Sequence, residues 1–217
     1  MACQICETRK ERRFCPAVHG RICAVCCGTE REVTLECPSD CAYLRQARER
    51  EKPRPLNELP AAEVFAEVEI RQALLREREP LMVGLSFALV KAARTDRALV
   101  DRDLIAALSA LTRRYQTLTS SGLITGTEQG LGTQQSIVAE LEKMIASYRE
   151  TEQKHVGYAT LRDSEVLEAL VFLVRMALAR TSGRPKSRAF LDFLFSRFPE
   201  KEANIVAPEA GRSIVIP

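Results

Sequence analysis

From residue 61 onward apolar positions recur every three to four residues, the spacing that lines one face of an α-helix. Val64, Phe65, Val68, Leu74 and Leu75 predict a first helix over 61–79, stopped by Pro80. Residues 81–94 read as a second. Asp101 or Asp103 caps a third, in which Leu104, Leu108, Leu111, Tyr115 and Leu118 share a face until Ser120, Ser121 and Gly122 end it. Ile137, Leu141, Met144, Ile145 and Tyr148 define a fourth helix over 134–153. The fifth, over 166–179, is apolar nearly all round and belongs at the centre of the bundle. After Pro185 comes a last helix rich in phenylalanine, with Phe190, Phe193, Phe195 and Phe198 before Pro199. Those rings predict core, and beyond it a homo-oligomer face, since a small bundle leaves some of them uncovered.

The first 60 residues follow a different pattern. Residues 32–36 alternate polar and apolar as a short strand does, and 37–50 read as a helix with Pro38 in its first turn and Ser39 and Asp40 at its positive end. Pro53, Pro55 and Pro60 make the connection that follows stiff and non-helical. The domain reading is therefore a cysteine-rich module at 1–50, a proline-rich linker at 51–60, an all-helical domain of about six helices at 61–204 and an extended tail at 205–217. The fold class is mainly α.

All eight cysteines lie between Cys3 and Cys41. Cys3-x2-Cys6 and Cys23-x2-Cys26 are knuckles, turns in which two thiolates aim at one ion while backbone amides donate to the sulfurs. Gly28 suits the second turn, and Cys37 and Cys41, four apart, would share one helix face. Every thiol is used if Cys3, Cys6, Cys23 and Cys26 hold one zinc and Cys15, Cys27, Cys37 and Cys41 a second, Cys26 and Cys27 pointing opposite ways along an extended turn. The rival allocation places His19 instead of Cys27 at the second ion and leaves one thiol free. Ferredoxin spacings are not reproduced, and the Cys-x-x-Cys pairs lack the strand–helix context of a thioredoxin, so iron–sulfur and redox readings rank lower. A module of about 45 residues cannot bury enough apolar surface to fold alone, which assigns zinc a structural role worth on the order of 10 kcal/mol per ion.

Arg13 to Pro16, Cys26 to Val33 and Cys37 to Leu44 together resemble the N-terminal finger of a group of bacterial zinc-finger proteins. More broadly they are similar to cross-braced double-zinc fingers of the HIT and B-box kind, with the order of a treble clef. The doubled cysteine and the lack of terminal histidines depart from those fingers. The resemblance covers about a fifth of the chain and implies metal binding with a macromolecular interaction role.

Composition then narrows the function. With 46% hydrophobic and 28% charged residues the chain is globular, and 6% aromatics without Trp predict a core of Leu, Val, Ala and Ile. The charged run Arg9 to Arg13 leaves no room for a secretory signal, which predicts a cytoplasmic protein with reduced, metal-bound cysteines. No apolar run is long enough for a membrane span. The formal charge of +3 invites a nucleic-acid partner through Arg9, Lys10, Arg12, Arg13 and Arg21, yet eight thiolates and two zinc ions bring the total to about −1. Four glycines over 122–133 lack the lysine and preceding strand of a phosphate loop. His155 stands alone, and Glu165 with Glu168 reads as a solvated edge rather than half of a di-metal site. The expectation is a non-enzyme: an interaction or scaffold protein binding another protein, with nucleic acid the second choice.

Overall fold

The computed structural model describes residues 1–122 and 132–199. Two short antiparallel strands, β1 (Arg13–Cys15) and β2 (Gly20–Ile22), pair with Phe14 opposite Arg21. Helices α1 (Ala24–Glu30) and α2 (Ala42–Arg50) complete the N-terminal module. The body is built from α3 (Leu74–Glu77), α4 (Glu79–Thr95), α5 (Asp101–Ser121), α6 (Gly132–Val156), α7 (Asp163–Arg180) and α8 (Ala189–Arg197). A small cysteine-rich region followed by a helical body is the predicted class, and it is the observed one.

Helix α7 is the axis of the body. Val166, Ala169, Leu170, Val171, Leu173, Val174 and Ala177 are wholly buried, so little of its circumference meets water. It lies against α5, whose buried face is Leu104, Ala107, Leu108 and Leu111, while α4 packs on α6 through Leu81, Leu85 and Leu89. The end of the Met144 side chain from α6 lies over Gly84 of α4, where a Cβ would stand 2.0 Å from its Cε. Pro80 sits in the first turn of α4, where its missing N–H costs nothing, and Gly122 ends α5 at φ 68°.

Helix α8 is held by a carboxylate from a different helix. Asp101, at the start of α5, is completely buried and accepts from the Ser187 hydroxyl at 2.7 Å and the backbone N–H groups of Phe190 and Leu191 at 3.2 and 3.1 Å. It thus satisfies amides that the short helix cannot satisfy itself. The helix begins at Ala189; Pro185 belongs to the preceding turn and not to the helix. Phe190 is buried, and Phe193, Phe195 and Phe198 are half-buried against the core, with Arg180 stacked 3.7 Å over the Phe193 ring.

Three other local expectations need correction. Residues 61–79 form turns and only the single turn of α3, although Val64, Phe65 and Leu74 are buried as expected. The cause lies far along the chain: Arg175 of α7 donates to the carbonyls of Val64, Phe65 and Val68 at 2.8, 2.6 and 2.9 Å, and Phe65 takes φ 51°. Carbonyls spent on a guanidinium are lost to a helix. Residues 32–36 make no strand beyond a single bridge between Arg31 and Leu35, because Glu32 turns the chain at φ 53°. Finally, 37–41 is a tight turn closed by Cys41 N–H to the Pro38 carbonyl at 3.0 Å; α2 starts only at Ala42, so Cys37 and Cys41 do not share a helix face. The expected tail at 205–217, and most of the glycine-rich loop, lie outside the described residues.

Module and body meet along the connection between α7 and α8. Glu32, 2% exposed, accepts from Arg48 at 2.7 Å and Ser182 at 3.0 Å, while its carbonyl takes the Lys186 N–H at 2.8 Å. Arg184 donates to the carbonyls of Gly28 and Arg31 at 3.0 and 2.6 Å, close to the C-terminal end of α1, where the helix dipole favours a cation. Arg48 also pairs with Asp192 of α8, which accepts from Ser39 at 2.6 Å. The proline-rich linker joins the same interface, with Arg54 N–H on the Ala179 carbonyl at 3.0 Å and Leu56 and Leu59 packed on the core.

Candidate metal centre

The first knuckle is shaped by backbone bonds on both sides of it. Cys3 N–H meets the Arg9 carbonyl at 2.8 Å, Glu7 N–H meets the Cys3 carbonyl at 2.8 Å, and Glu7 sits at φ 55°, the left-handed conformation such a turn requires. Gln4 N–H to the Arg21 carbonyl and Arg12 N–H to the Ile22 carbonyl lay this turn along β2. The hairpin then delivers Cys23 to the N-terminus of α1. Cys23 is the residue before that helix, its sulfur accepts from Cys26 N–H at 3.3 Å, and its own N–H donates to the sulfur of Cys3 at 3.2 Å.

The result is that the sulfurs of Cys3, Cys6, Cys23 and Cys26 all lie within 4.8 Å of one another. A tetrahedral ion with bonds of 2.3 Å places its sulfurs about 3.8 Å apart, so the cluster is of the right size for one metal ion. Electrostatics point the same way. The Cys6 thiol is brought down to about 5, first by the Thr8 hydroxyl and then by the N–H groups of Arg9 and Thr8. Cys3 is also lowered: burial opposes its ionisation, but N–H groups of Cys6, Cys23 and Ile5 overcome it. Cys26 is pushed up to about 12, by burial and then by its sulfur neighbours Cys23, Cys6 and Cys3. Four sulfurs this close cannot all ionise without a cation among them, and a metal ion held there would supply it.

The second predicted set is placed less tightly. Cys15 is buried at the end of β1, and Cys27, Cys37 and Cys41 are half-buried. The Cys37 thiol is raised by burial first; the Glu32 N–H opposes the rise, and the charges of Cys15, Cys41 and Glu32 add to it. Cys27 receives Nη1 of Arg13 at 3.6 Å. Among the described residues the first set is the one whose ligand atoms are gathered within 4.8 Å. Cys26 and Cys27 are neighbours on helix α1 rather than on an extended turn, about 100° apart around its axis, which still separates their directions. Gly28 is an ordinary helical residue of α1. His19 is exposed at φ 50°, closing a turn with its N–H on the Pro16 carbonyl.

Several basic residues of the module are spent inside it. The charge of Arg9 is favoured by the sulfurs of Cys23, Cys6 and Cys26, Arg13 stacks 4.5 Å over the Tyr43 ring, and Arg21 pairs with Glu11 at 3.2 Å. Sequence reading missed these roles, and it also missed the Glu32–Arg48–Asp192 cluster. The one available signal was the density of arginine beside the thiols, where charge-assisted bonds to sulfur are strongest.

In the body, Glu165 and Glu168 do not form a solvated edge. Glu165 accepts from Arg78 at 3.0 Å and Glu168 from Arg71 at 2.9 Å, both carboxylates being buried, and Glu152 joins them through Arg78 and Thr160. These are closed ion pairs with every acid matched to an arginine. No described helix is long and apolar enough to cross a membrane. Comparison of the chain with protein-family models, with curated proteins and with solved structures gives no match.

Proposed function

We propose that the protein is a non-enzymatic interaction protein, whose N-terminal finger is held by two structural zinc ions and whose helical body serves as scaffold. The observation that carries this reading is the closed four-cysteine cluster. With Cys3, Cys6, Cys23 and Cys26 all as ligands, the ion keeps no open position for water or substrate, which is the arrangement of a structural site. The second zinc is assigned to Cys15, Cys27, Cys37 and Cys41, supported by the charges of Cys15 and Cys41 acting on the Cys37 thiol.

The recognition surface is assigned to the finger. Of the large apolar side chains exposed among the described residues, Met1, Ile5, Phe14, Val25 and Val33 belong to it, with Phe14 56% exposed on a two-stranded hairpin. A module that spends its few apolar residues outward is built to be covered by another protein. Nucleic acid is the weaker reading, because Arg9, Arg13 and Arg21 already serve sulfur, ring and carboxylate partners.

Elemental analysis with thiol titration tests the metal, and should return two zinc per chain with no reactive thiol. One reactive thiol would favour His19 as a ligand, and iron would overturn structural zinc. Crosslinking with mass spectrometry in cells then tests the surface. A defined partner contacting the hairpin should be lost in Phe14→Glu while zinc content is kept. Binding to DNA or RNA that falls steeply with salt, with no protein partner, would overturn the reading in favour of nucleic acid.

A further inference from the structure

A cleft of about 850 Å³ opens between the finger and the body, where the turn bearing Cys37 and Pro38 faces the end of α4, the start of α5 and the end of α8. Its charge is unbalanced in a particular way. Elsewhere Arg48, Arg71, Arg78, Arg114 and Arg149 each meet a carboxylate. In the cleft, Arg94 donates to the Phe198 carbonyl, and Arg188 to the carbonyls of Arg97 and Leu99 at 2.6 and 2.8 Å. Main-chain carbonyls fix the position of a guanidinium without neutralising it. The Arg97 side chain is exposed and has no acceptor among the described residues. The two carboxylates lining the cleft are already matched, Glu36 with Lys186 at 3.1 Å and Asp103 with Arg102 at 4.0 Å.

Three guanidinium charges therefore line one cavity with no carboxylate paired to them among the described residues. The N-terminal end of the 21-residue α5 lies on the same wall, its dipole offset by Asp101 and Asp103 in the first turn, so the excess positive charge of the cleft is that of the guanidiniums. The remaining wall is apolar, with Val100, Phe195, Phe198 and Pro38. We propose that this cleft binds a phosphate-bearing ligand of nucleoside-diphosphate size, its phosphates on Arg94, Arg97 and Arg188 and its base against the apolar wall. The volume is that of small-molecule sites, and guanidinium forks match phosphate oxygens two at a time. A charge of about three also suits a diphosphate better than a single carboxylate. This inference goes beyond the interaction role of the finger and does not depend on the exposed hairpin.

The test is calorimetric titration of the full, zinc-loaded chain with ADP and, separately, with inorganic pyrophosphate. ADP should bind one saturable site and bind more tightly than pyrophosphate. Arg97→Glu, at an exposed side chain with no acceptor among the described residues, should weaken ADP at least tenfold without affecting folding, and Arg188→Gln should weaken ADP as well. Arg113→Gln, about 16 Å along α5 from Arg102, should stay within twofold of the parent. Absence of saturable ADP binding would overturn the proposal, as would equal losses in Arg97→Glu and Arg113→Gln. Pyrophosphate binding as tightly as ADP would overturn the assignment of the apolar wall to a base. A glutamate-rich dodecapeptide that outcompetes ADP tenfold would reassign the cleft to an acidic protein segment.

Discussion

Replacing Glu32 by Ala should detach the finger from the body more effectively than any other single change. The carboxylate accepts a charge-assisted bond from Arg48 and a neutral one from Ser182, at 2.7 and 3.0 Å in a site only 2% exposed. The first kind contributes about 1.5–3 kcal/mol and the second about 1 kcal/mol. Arg48 keeps Asp192 after the change, so its charge is not left wholly unpaired, which holds the total near 3 kcal/mol. Backbone strain does not alter the sum, because alanine is no happier than glutamate at φ 53°. Urea unfolding of the zinc-loaded protein is the assay. With a slope of about 2–3 kcal/mol/M for a chain of this size, the midpoint should fall by about 1 M. Glu36→Ala, whose side chain is 85% exposed, should cost less than about 0.5 kcal/mol. A double-mutant cycle of Glu32→Ala with Arg48→Ala should give a coupling of at least about 1.5 kcal/mol. A loss below 0.5 kcal/mol for Glu32→Ala, or a coupling near zero, would refute the assignment of this cluster as the joint.

Removing zinc with a strong chelator should abolish the finger's ordered amides in hydrogen exchange while those of α7 stay protected, since the body has its own apolar core; loss of protection throughout would show that the body depends on metal. The Glu165 carboxyl is held at about 2: burial opposes its ionisation, but the Arg162 N–H and the Arg78 guanidinium overcome it. A depressed pKa contributes stability that is complete above about 4.5 and is lost as pH falls toward 2, so acid titration of the parent should show a loss in that window that Glu165→Gln lacks. Arg175→Ala orphans the carbonyls of Val64 and Val68, while that of Phe65 keeps the Val68 N–H, and should cost about 3 kcal/mol in denaturant unfolding, with segment 60–70 the first to exchange amide protons; a cost under 1 kcal/mol would mean water replaces the guanidinium.

The parts of this fold legible in the sequence are those whose periodicity is settled locally. Helices α4 to α7 announce themselves because Leu81, Leu85 and Leu89, or Leu104, Leu108 and Leu111, repeat over several turns, and Gly122 marks an end by its own backbone preference. Segment 61–79 has similar spacing, but its carbonyls are claimed by Arg175, a hundred residues away, and no local pattern encodes that demand. The same holds for 32–36, where Glu32 is buried against residues from two distant segments rather than exposed on a strand. For the metal, the two Cys-x-x-Cys pairs point to each other because each knuckle presents both sulfurs on one side of a turn. Cys15, Cys27 and the pair Cys37 and Cys41 come from three different local structures, a strand, a helix and a turn, so any grouping of them rests on tertiary placement that spacing does not carry.

The joint between finger and body has a further consequence, for the order in which the molecule is made. Ser182, Arg184 and Lys186 grip the finger from the loop after α7, and Asp192 from α8, but that loop and helix are set by Asp101 and the core beneath α8, neither of which involves the metal. The docking face is therefore ready before any metal arrives, and until it does the face is polar and charged rather than greasy. A newly made chain starved of metal would wait as a folded body with an unfolded leader, not committed to aggregation.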